Sequence, residues 1–258
     1  MKNSFLILSL IALFLSCSRK KQFPDYKTQK ISNEQLTVKM PDAILTKPLI
    51  NDSLKNNDLP DCLDQLSILE RYFNNKNQNF NFKKLKENWD NCSNELYDLN
   101  LNEIGLKKWI DATGLLLQLT AEAKYAEKLE SIFFATSSAK IKEEVGEYAI
   151  TKNVDHLHVN LFIPAKIEYD HSLGGHVKML IETNYPESGK VQLKFSTEKN
   201  RYIELFIRIP SWEHDAHVIV KGVKYLAPAG TYCKIAKKWK DGDVAEIVFP
   251  HARNHNMN

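Results

Sequence analysis

The sequence lacks the cysteine spacings that a structural zinc site needs. Its 258 residues contain four cysteines, Cys17, Cys62, Cys92 and Cys233, and neither a CxxC pair nor a paired His/Cys spacing occurs. The spacing therefore does not support a structural zinc site, and no cofactor is expected. If Cys17 is modified as argued below, three cysteines remain, so at least one thiol stays free or pairs elsewhere.

The chain also lacks a long hydrophobic run and a cluster of basic residues. The apolar run at residues 5–15 is shorter than a transmembrane helix needs. The formal net charge is +3, and lysines are interspersed with acidic residues. This is unlike the clustered basic surface of a nucleic-acid-binding protein, so no nucleic-acid partner is expected.

The first 16 residues instead have the pattern of a bacterial export signal. Lys2 supplies the positive start, residues 5–15 form the apolar core, and the cleavage point precedes Cys17. The sequence FLSC at 14–17 resembles a lipobox, which predicts that Cys17 is diacylated and becomes the mature N-terminus. The alternative is an ordinary signal peptide with an incidental cysteine. The sequence thus predicts a lipoprotein of the bacterial cell envelope, attached to a membrane through its N-terminal lipid.

Composition and periodicity divide the chain into five segments. These are a signal peptide at 1–16, a polar tether at 17–60, a helical region at 61–150, a β-sandwich domain at 151–250 and a tail at 251–258. The tether is rich in Lys, Asn, Gln and Asp and contains scattered prolines. A short strand from Gln35 to Met40 is an alternative for part of it.

Apolar residues at spacings of three and four predict the helices. One helix is predicted within residues 61–73 and another from Phe82 to Leu96. Residues 102–134 are predicted to form one long helix or a broken pair, because Gly114 weakens the middle by about 1 kcal/mol relative to alanine.

The second half of the chain alternates between apolar and polar residues. This alternation in HVKMLIET, VQLKF and YIELFIRI predicts half-buried strands. Turns are predicted from Asn184 to Gly189 and from Asp241 to Asp243, because Gly and Asp provide the backbone angles of tight reversals. The predicted fold class is therefore α+β, with helices followed by an antiparallel β-sandwich.

Several motifs occur in a fixed order in this half. They are VNLFIP at 159–164, ETNYP at 182–186, IRIPSW at 207–212, GTY at 230–232 and WKDGDV at 239–244. In that order they resemble the β-sandwich that follows the catalytic barrel of glycoside hydrolase family 127, the β-L-arabinofuranosidase type. The resemblance implies that the helical region is a short remnant of an (α/α) barrel. An unrelated sandwich with chance motifs is the alternative.

The helical region resembles the same family only in pieces. LKENWDNCSNELY at 85–97 is similar to a family helix, but the loop that carries the family's acid/base glutamate does not follow it. Glu103 matches a zinc-ligand glutamate of the family, whereas Gly105 stands at the position of a ligand cysteine. Residues 135–155 lack the Cys-Cys-Pro-Pro motif that supplies the family's nucleophile.

The resemblance therefore implies a degenerate, non-catalytic relative without bound metal, which binds glycans or acts as a scaffold. Glu103 is the residual catalytic candidate. The alternatives are an active glycosidase that has rebuilt its site or receives the missing parts from a partner chain, a purely structural envelope lipoprotein, and a decayed remnant.

Two polar clusters could carry other chemistry. Glu143, Glu144 and Glu147 are close in sequence, and we interpret them as a solvated helix face rather than as a hydrolytic pair. His156 and His158 alternate on one strand face, and we favour surface histidines over a metal-binding pair.

Trp212 and Trp239 are the candidate glycan contacts, since aromatic planes stack on sugar rings. The alternative, which we favour, buries both side chains in the core of the sandwich. Arg208 lies in an otherwise apolar strand and is predicted to pair with a nearby carboxylate.

Overall fold

The structure is a computed structural model that describes residues 37–39, 82–95 and 101–252. These residues form helices followed by two mostly antiparallel sheets, which confirms the predicted α+β class. All of them belong to one compact unit spanning residues 31–258. The helix predicted within residues 61–73 lies outside the described residues, and so does Cys17.

The helical part comprises α1 (Phe82–Glu95), α2 (Glu103–Thr120), α3 (Ala123–Ala135) and α4 (Ala139–Gly146). Asn102 caps α2, because its side-chain oxygen accepts a hydrogen bond from the Gly105 N–H at 2.9 Å. None of the described helices is both long enough and apolar enough to span a membrane.

The predicted long helix is a broken pair, α2 and α3. The break lies at Ala121, which has a left-handed φ of 52°, and not at Gly114. Gly114 serves a different purpose, since the ring of Tyr148 packs so closely that an added Cβ would lie 2.1 Å from its Cζ. The glycine is therefore needed for close packing and does not interrupt the helix.

The helices share an apolar core around Trp89. Its ring stacks on Trp109 with centroids 5.1 Å apart, and it meets Tyr125 edge-on at 4.7 Å. Its Nε1 donates a hydrogen bond of 2.8 Å to the buried Thr113 hydroxyl. In α1, Cys92 is disulfide-bonded.

The sandwich contains eleven described strands. They are β1 (Thr37–Lys39), β2 (Ile150–Asn153), β3 (His156–Val159), β4 (Ala165–Asp170), β5 (His176–Thr183), β6 (Lys190–Thr197), β7 (Arg201–Arg208), β8 (His217–Val220), β9 (Val223–Tyr225), β10 (Tyr232–Trp239) and β11 (Val244–Val248). The larger sheet has the order β1-β4-β5-β6-β11-β8-β9, and the smaller has the order β10-β7-β3-β2.

One pair departs from the predicted antiparallel arrangement. Among the described strands, β3 and β7 are parallel, whereas the other pairs are antiparallel. Alternation fixes the face on which a side chain lies, but it carries no information on the direction of the neighbouring strand. The prediction was therefore wrong for this pair.

Alternate residues of both sheets face one shared core, as the sequence pattern predicted. Strands β5, β6 and β7 contribute Val177, Met179, Ile181, Val191, Leu193, Phe195, Ile203, Leu205 and Ile207 to it. The free Cys233 is also buried there, and burial raises the pKa of its thiol.

Strand β1 lies within the segment predicted to be a tether. Thr37 pairs with Glu168 and Lys39 pairs with Lys166, so β1 forms the edge of the seven-stranded sheet beside β4. The short strand considered for residues 35–40 is therefore present, at Thr37–Lys39.

A buried charged cluster joins helix α3 to the four-stranded sheet. Arg208 has no exposed side-chain surface, and its Nη2 lies 2.5 Å from Oε2 of Glu130. Its Nε donates a hydrogen bond of 2.6 Å to the Asn160 carbonyl oxygen, and its guanidinium lies 5.0 Å from the centroid of the Phe162 ring. The predicted pairing of Arg208 with a carboxylate is confirmed.

The charge of Glu130 keeps Arg208 ionised. Burial lowers the pKa of Arg208, but its interactions with Glu130, Tyr185 and Glu127 together raise it by more, so the net pKa lies above its usual value. Glu130 also accepts hydrogen bonds from the Phe162 N–H at 3.0 Å and from the Tyr185 hydroxyl at 3.3 Å. One carboxylate thus holds three separate parts of the sandwich against α3.

We expect Glu130→Gln to lower the free energy of unfolding by about 3–5 kcal/mol, because it leaves the buried Arg208 without its charge partner. The substitution preserves the size of the side chain. Unfolding in urea, followed by tryptophan fluorescence, measures the loss.

Glu182→Gln is the matched control. Glu182 pairs with Lys194 at the same distance of 2.5 Å, but both side chains are nearly half exposed, and such pairs contribute about 1 kcal/mol or less. Equal losses in the two variants would contradict the special role of the buried pair.

Candidate functional site

The residual catalytic candidate is exposed at the start of a helix. Glu103 occupies the first turn of α2, where an acidic side chain stabilises the helix dipole. Of the acidic cluster on and just after α4, Glu143 and Glu147 are exposed and Glu144 is half-buried. Among the described residues, no group of three or more His, Cys, Asp or Glu side chains is arranged to hold a metal ion.

Trp239 is a core residue. Its side chain has no exposed surface, its ring stacks on Phe195 with centroids 4.1 Å apart, and its Nε1 donates a hydrogen bond of 3.1 Å to the Ile203 carbonyl. Of the two interpretations considered for this residue, the structure agrees with the core one, because no ring face is open to a sugar.

Trp212 is half-buried, so the burial in the core that we favoured from the sequence is seen only in part. One side of it packs against the core, with its ring 6.4 Å from that of Phe249. It lies in a loop, residues 209–216, between β7 and β8, where strand alternation no longer dictates burial.

Hydrogen bonds at its N-terminal end hold this loop, which we call the Trp212 loop. The Ile209 N–H donates to the Thr231 carbonyl at 2.7 Å, and the Gly230 N–H donates back to Ile209 at 3.0 Å. The Ser211 N–H donates to the Glu127 carboxylate of α3. The loop is thereby tied both to β10 and to the helical part.

Glu213 is the centre of the Trp212 loop. Its side chain is fully buried, and its carboxylate accepts hydrogen bonds from the N–H groups of Asp215 at 3.0 Å and His251 at 2.9 Å. The Nδ1 of His251 lies 3.0 Å from Oε1. The carboxylate thus closes the loop on itself and holds residue 251, which the sequence assigned to the tail.

Glu213 has a defined charge near neutral pH. Burial raises the pKa of Glu213, but hydrogen bonds from the His251 side chain and from two backbone N–H groups lower it by more, so the net pKa lies below its usual value. The hydrogen bond and the charge of Glu213 raise the pKa of His251. Glu213 is therefore a carboxylate at neutral pH.

A cavity of about 420 Å³ opens beside the loop. It is lined by His214, Asp215, Ala216, His217, Lys224, Leu226, Ala227 and Pro250. Charged, imidazole and apolar groups converge there, a composition suited to a small polar ligand with apolar faces. Trp212 adjoins this cavity along the loop but does not line it.

A second, wider groove of about 640 Å³ lies at the ends of β4, β5 and β6. It is lined by Pro164, Ala165, Lys166, Leu180, Ile181, Glu182, Thr183, Asn184, Ser188, Lys190 and Gln192. It is more open than the cavity, and no imidazole side chain lines it. The Trp212 loop therefore provides the better candidate site.

Sequence reasoning nominated Trp212 but missed Glu213, Asp215 and His251. A signal was present, since Trp-Glu-His-Asp at 212–215 places three polar residues shortly after an apolar strand and a proline. The pairing of Glu213 with His251 could not be predicted, because the two residues belong to different segments of the sequence.

The matches to known proteins concern this same half of the chain. Residues 156–251 match the family model described as "Beta-L-arabinofuranosidase, GH127 middle domain". The resemblance to glycoside hydrolase family 127 is confirmed for this segment. No curated protein matches the chain.

Solved GH127 structures resemble part of this chain. The chain aligns with a GH127 β-L-arabinofuranosidase from Geobacillus stearothermophilus T6 at 24% identity and a TM-score of 0.46, covering 57% of this chain and 31% of that one. A second GH127 β-arabinofuranosidase gives 20% identity and a TM-score of 0.44, with 56% and 31% covered. A protein named only as a glycoside hydrolase aligns at 22% identity and a TM-score of 0.49, covering 56% of this chain and 32% of that one. The chain spans about a third of the length of each.

The GH127-like segment also contains the two alternating histidines. His156 is exposed and its Nε2 lies 3.4 Å from Glu204. His158 is half-buried and stacks on Phe206 with ring centroids 4.5 Å apart. Burial, with a smaller contribution from His156, lowers the pKa of His158 to about 4.

We expect His158 to destabilise the fold in acid. The unfolded chain binds a proton at this histidine below a pKa of about 6.5, whereas the folded protein does not bind it until about pH 4. Stability therefore falls as the pH drops from about 6.5 to 4. We compare the unfolding free energy of His158→Phe with that of the wild type. This difference should be about 2–3 kcal/mol more favourable to the variant at pH 4.5 than at pH 7.

Urea unfolding at the two pH values measures this difference. Phenylalanine keeps the stacking on Phe206, and the exposed His214→Phe provides the matched control, which should leave the pH profile unchanged. A parallel shift of the His158→Phe curve at both pH values would contradict the prediction.

Proposed function

We propose that this protein is a lipid-anchored protein of the bacterial cell envelope that binds glycans without hydrolysing them. The observation that carries the proposal is the match of residues 156–251 to the GH127 middle domain. Relatives with this segment are named as β-L-arabinofuranosidases, so glycans with arabinofuranose residues are the ligands to test first.

The Trp212 loop is the binding site of the proposal. Sugars combine hydroxyl groups with apolar C–H faces, and they need hydrogen-bonding side chains beside an apolar or aromatic surface. Asp215, His214 and Lys224 supply polar groups in the cavity, and Leu226 supplies apolar surface. The half-buried Trp212 lies in the same loop.

Two features support the non-catalytic part of the proposal. Gly105 stands where the resemblance places a ligand cysteine, and the internal segment 135–155 contains no cysteine that could act as nucleophile. The carboxylates at the Trp212 loop do not replace them. A glycosidase needs one protonated carboxyl group, and Glu213 is held as a carboxylate by its lowered pKa.

Binding should depend on the Trp212 loop. In isothermal titration of the purified mature protein with a β-L-arabinofuranosyl disaccharide, Asp215→Asn and Trp212→Ala should each weaken binding about tenfold or more, which corresponds to about 1.4 kcal/mol. The Asp215 side chain is 71% exposed, so its replacement should leave the fold intact, as circular dichroism would verify.

Gln192→Ala in the wider groove is the control and should leave the affinity unchanged. If Gln192→Ala weakens binding and the loop variants do not, the site lies in the groove. Absence of binding to any arabinose-containing glycan would favour the purely structural alternative. Release of free arabinose by the wild type would favour an active glycosidase.

Membrane attachment should depend on Cys17. The motivation is the sequence FLSC at 14–17, which follows an apolar run. When the protein is produced in bacteria fed with a fatty-acid analogue, the wild type should carry the analogue and partition into detergent. Cys17→Ser should do neither.

Cys233→Ser is the control, because it removes the free cysteine of the sandwich and should keep the label. An unlabelled wild-type protein with the mass of an unmodified chain would refute the lipoprotein proposal. It would leave the glycan-binding proposal standing.

A further inference from the structure

Three large apolar side chains are exposed at one end of the sandwich. Val154 is 56% exposed, Leu173 is 78% exposed and Tyr202 is 50% exposed. Val154 lies in the turn between β2 and β3, Leu173 in the turn between β4 and β5, and Tyr202 at the start of β7. We call these three residues the apolar tip.

Hydrogen bonds join the turns of the apolar tip into one structure. Asp155, next to Val154, accepts a hydrogen bond from the Ser172 N–H at 3.2 Å. The Nε2 of His171 lies 3.0 Å from the Tyr202 carbonyl oxygen. The guanidinium of Arg201 donates to the carbonyl oxygen of Leu173 at 3.0 Å. The apolar side chains are therefore held on a fixed support.

The conformation of Val154 is unusual for its residue type. Its φ is 53°, in the left-handed region that glycine or asparagine adopts at lower cost and that is unfavourable for a β-branched side chain. An exposed valine at such a position stabilises neither the turn nor the core. This strain motivates a functional reason for the apolar side chain.

The chain enters the sheet from the end that carries the apolar tip. Strand β1 is antiparallel to β4, with Thr37 beside Glu168 and Lys39 beside Lys166. Strand β4 runs from Ala165 towards the turn that contains Leu173. The N-terminal residue of β1, Thr37, is therefore the one nearer the tip.

We propose that the apolar tip docks onto the lipid bilayer to which the chain is anchored. This inference rests on the proposed acylation of Cys17. Nineteen residues, 18–36, separate Cys17 from β1. If this predicted polar tether behaves as a random coil, its typical end-to-end distance is about 25 Å. The anchor thus holds the bilayer within reach of the end of the sandwich that is apolar.

The tether explains how a small apolar patch suffices. Three side chains bury too little surface to hold a free protein on a membrane, since even a single myristoyl chain binds only marginally. Anchoring converts the contact into an intramolecular one with a high effective concentration. The tip then fixes the orientation of the protein and adds little to its retention.

The contact is apolar and not electrostatic. Lys199 and Arg201 flank the tip, but Asp170 and Glu198 lie beside the same turn, and the Arg201 guanidinium is engaged by the carbonyl groups of the turn. Docking should therefore persist on zwitterionic lipid and at high salt.

The test places a fluorescent label at Leu173→Cys in the full, acylated chain, reconstituted into phosphatidylcholine vesicles that contain nitroxide-labelled lipid. Leu226→Cys is the matched control. Leu226 is 71% exposed and follows β9, whose Tyr225 pairs with Val218 near the Lys190 end of the sheet, opposite the tip. The unsubstituted chain carried through the same labelling gives the background.

We expect the nitroxide lipid to quench the label at residue 173 at least about twofold more than the label at residue 226, because apolar groups of a docked surface reach about 5–10 Å into the interface. With the label at Val154→Cys instead, Leu173→Asp should abolish the excess quenching, whereas Leu226→Asp should not.

The outcomes separate the two proposals. An acylated chain in which both labels are quenched equally overturns the docking of the tip and leaves the lipid anchor standing. A chain without the mass of the acyl groups overturns the anchor, and the docking with it. Quenching at residue 173 that disappears in 0.5 M salt overturns the apolar nature of the contact.

Discussion

The buried guanidinium group of Arg208 lies between helix α3 and the four-stranded sheet, and its positive charge needs a carboxylate partner. Glu130 supplies that balance at 2.5 Å from Arg208, while the same carboxylate accepts hydrogen bonds from Phe162 and Tyr185. A buried charge that loses its partner is costly. Helix α3 therefore cannot separate from the sandwich without a large loss. A separate hydrogen bond, from the Ser211 N–H to Glu127, ties the Trp212 loop to the same helix.

Much of the sandwich was predictable because strand alternation is a local property. It placed the inward residues of β5, β6 and β7 correctly, and it predicted that Arg208 needs a carboxylate. The identity of that carboxylate was not predictable, since Glu130 lies on a helix far away in the sequence. The parallel pairing of β3 with β7 and the break at Ala121 also depend on tertiary contacts that the local pattern does not contain.

The candidate site was less predictable than the fold. From the sequence alone, an aromatic residue near a strand end can be either a core residue or a ligand contact. The two tryptophans differ in this respect: Trp239 lies in a strand with regular alternation, whereas Trp212 lies in a loop. The pairing of Glu213 with His251 closes a loop with residues from the C-terminal end of the sandwich. Loops of this kind carry the polar groups of many binding sites, but their long-range hydrogen bonds leave no periodic trace in the sequence.

The Arg208–Glu130 contact has a consequence for how this module is divided. The segment that matches a family model begins at His156, after all of the described helices. An excised sandwich that began there would contain the buried guanidinium but neither Glu127 nor Glu130, and it would also lose β2, the edge strand next to β3. The segment that sequence similarity recognises is therefore smaller than the unit that folds. A domain boundary at His156 would separate Arg208 from Glu130, its buried charge partner.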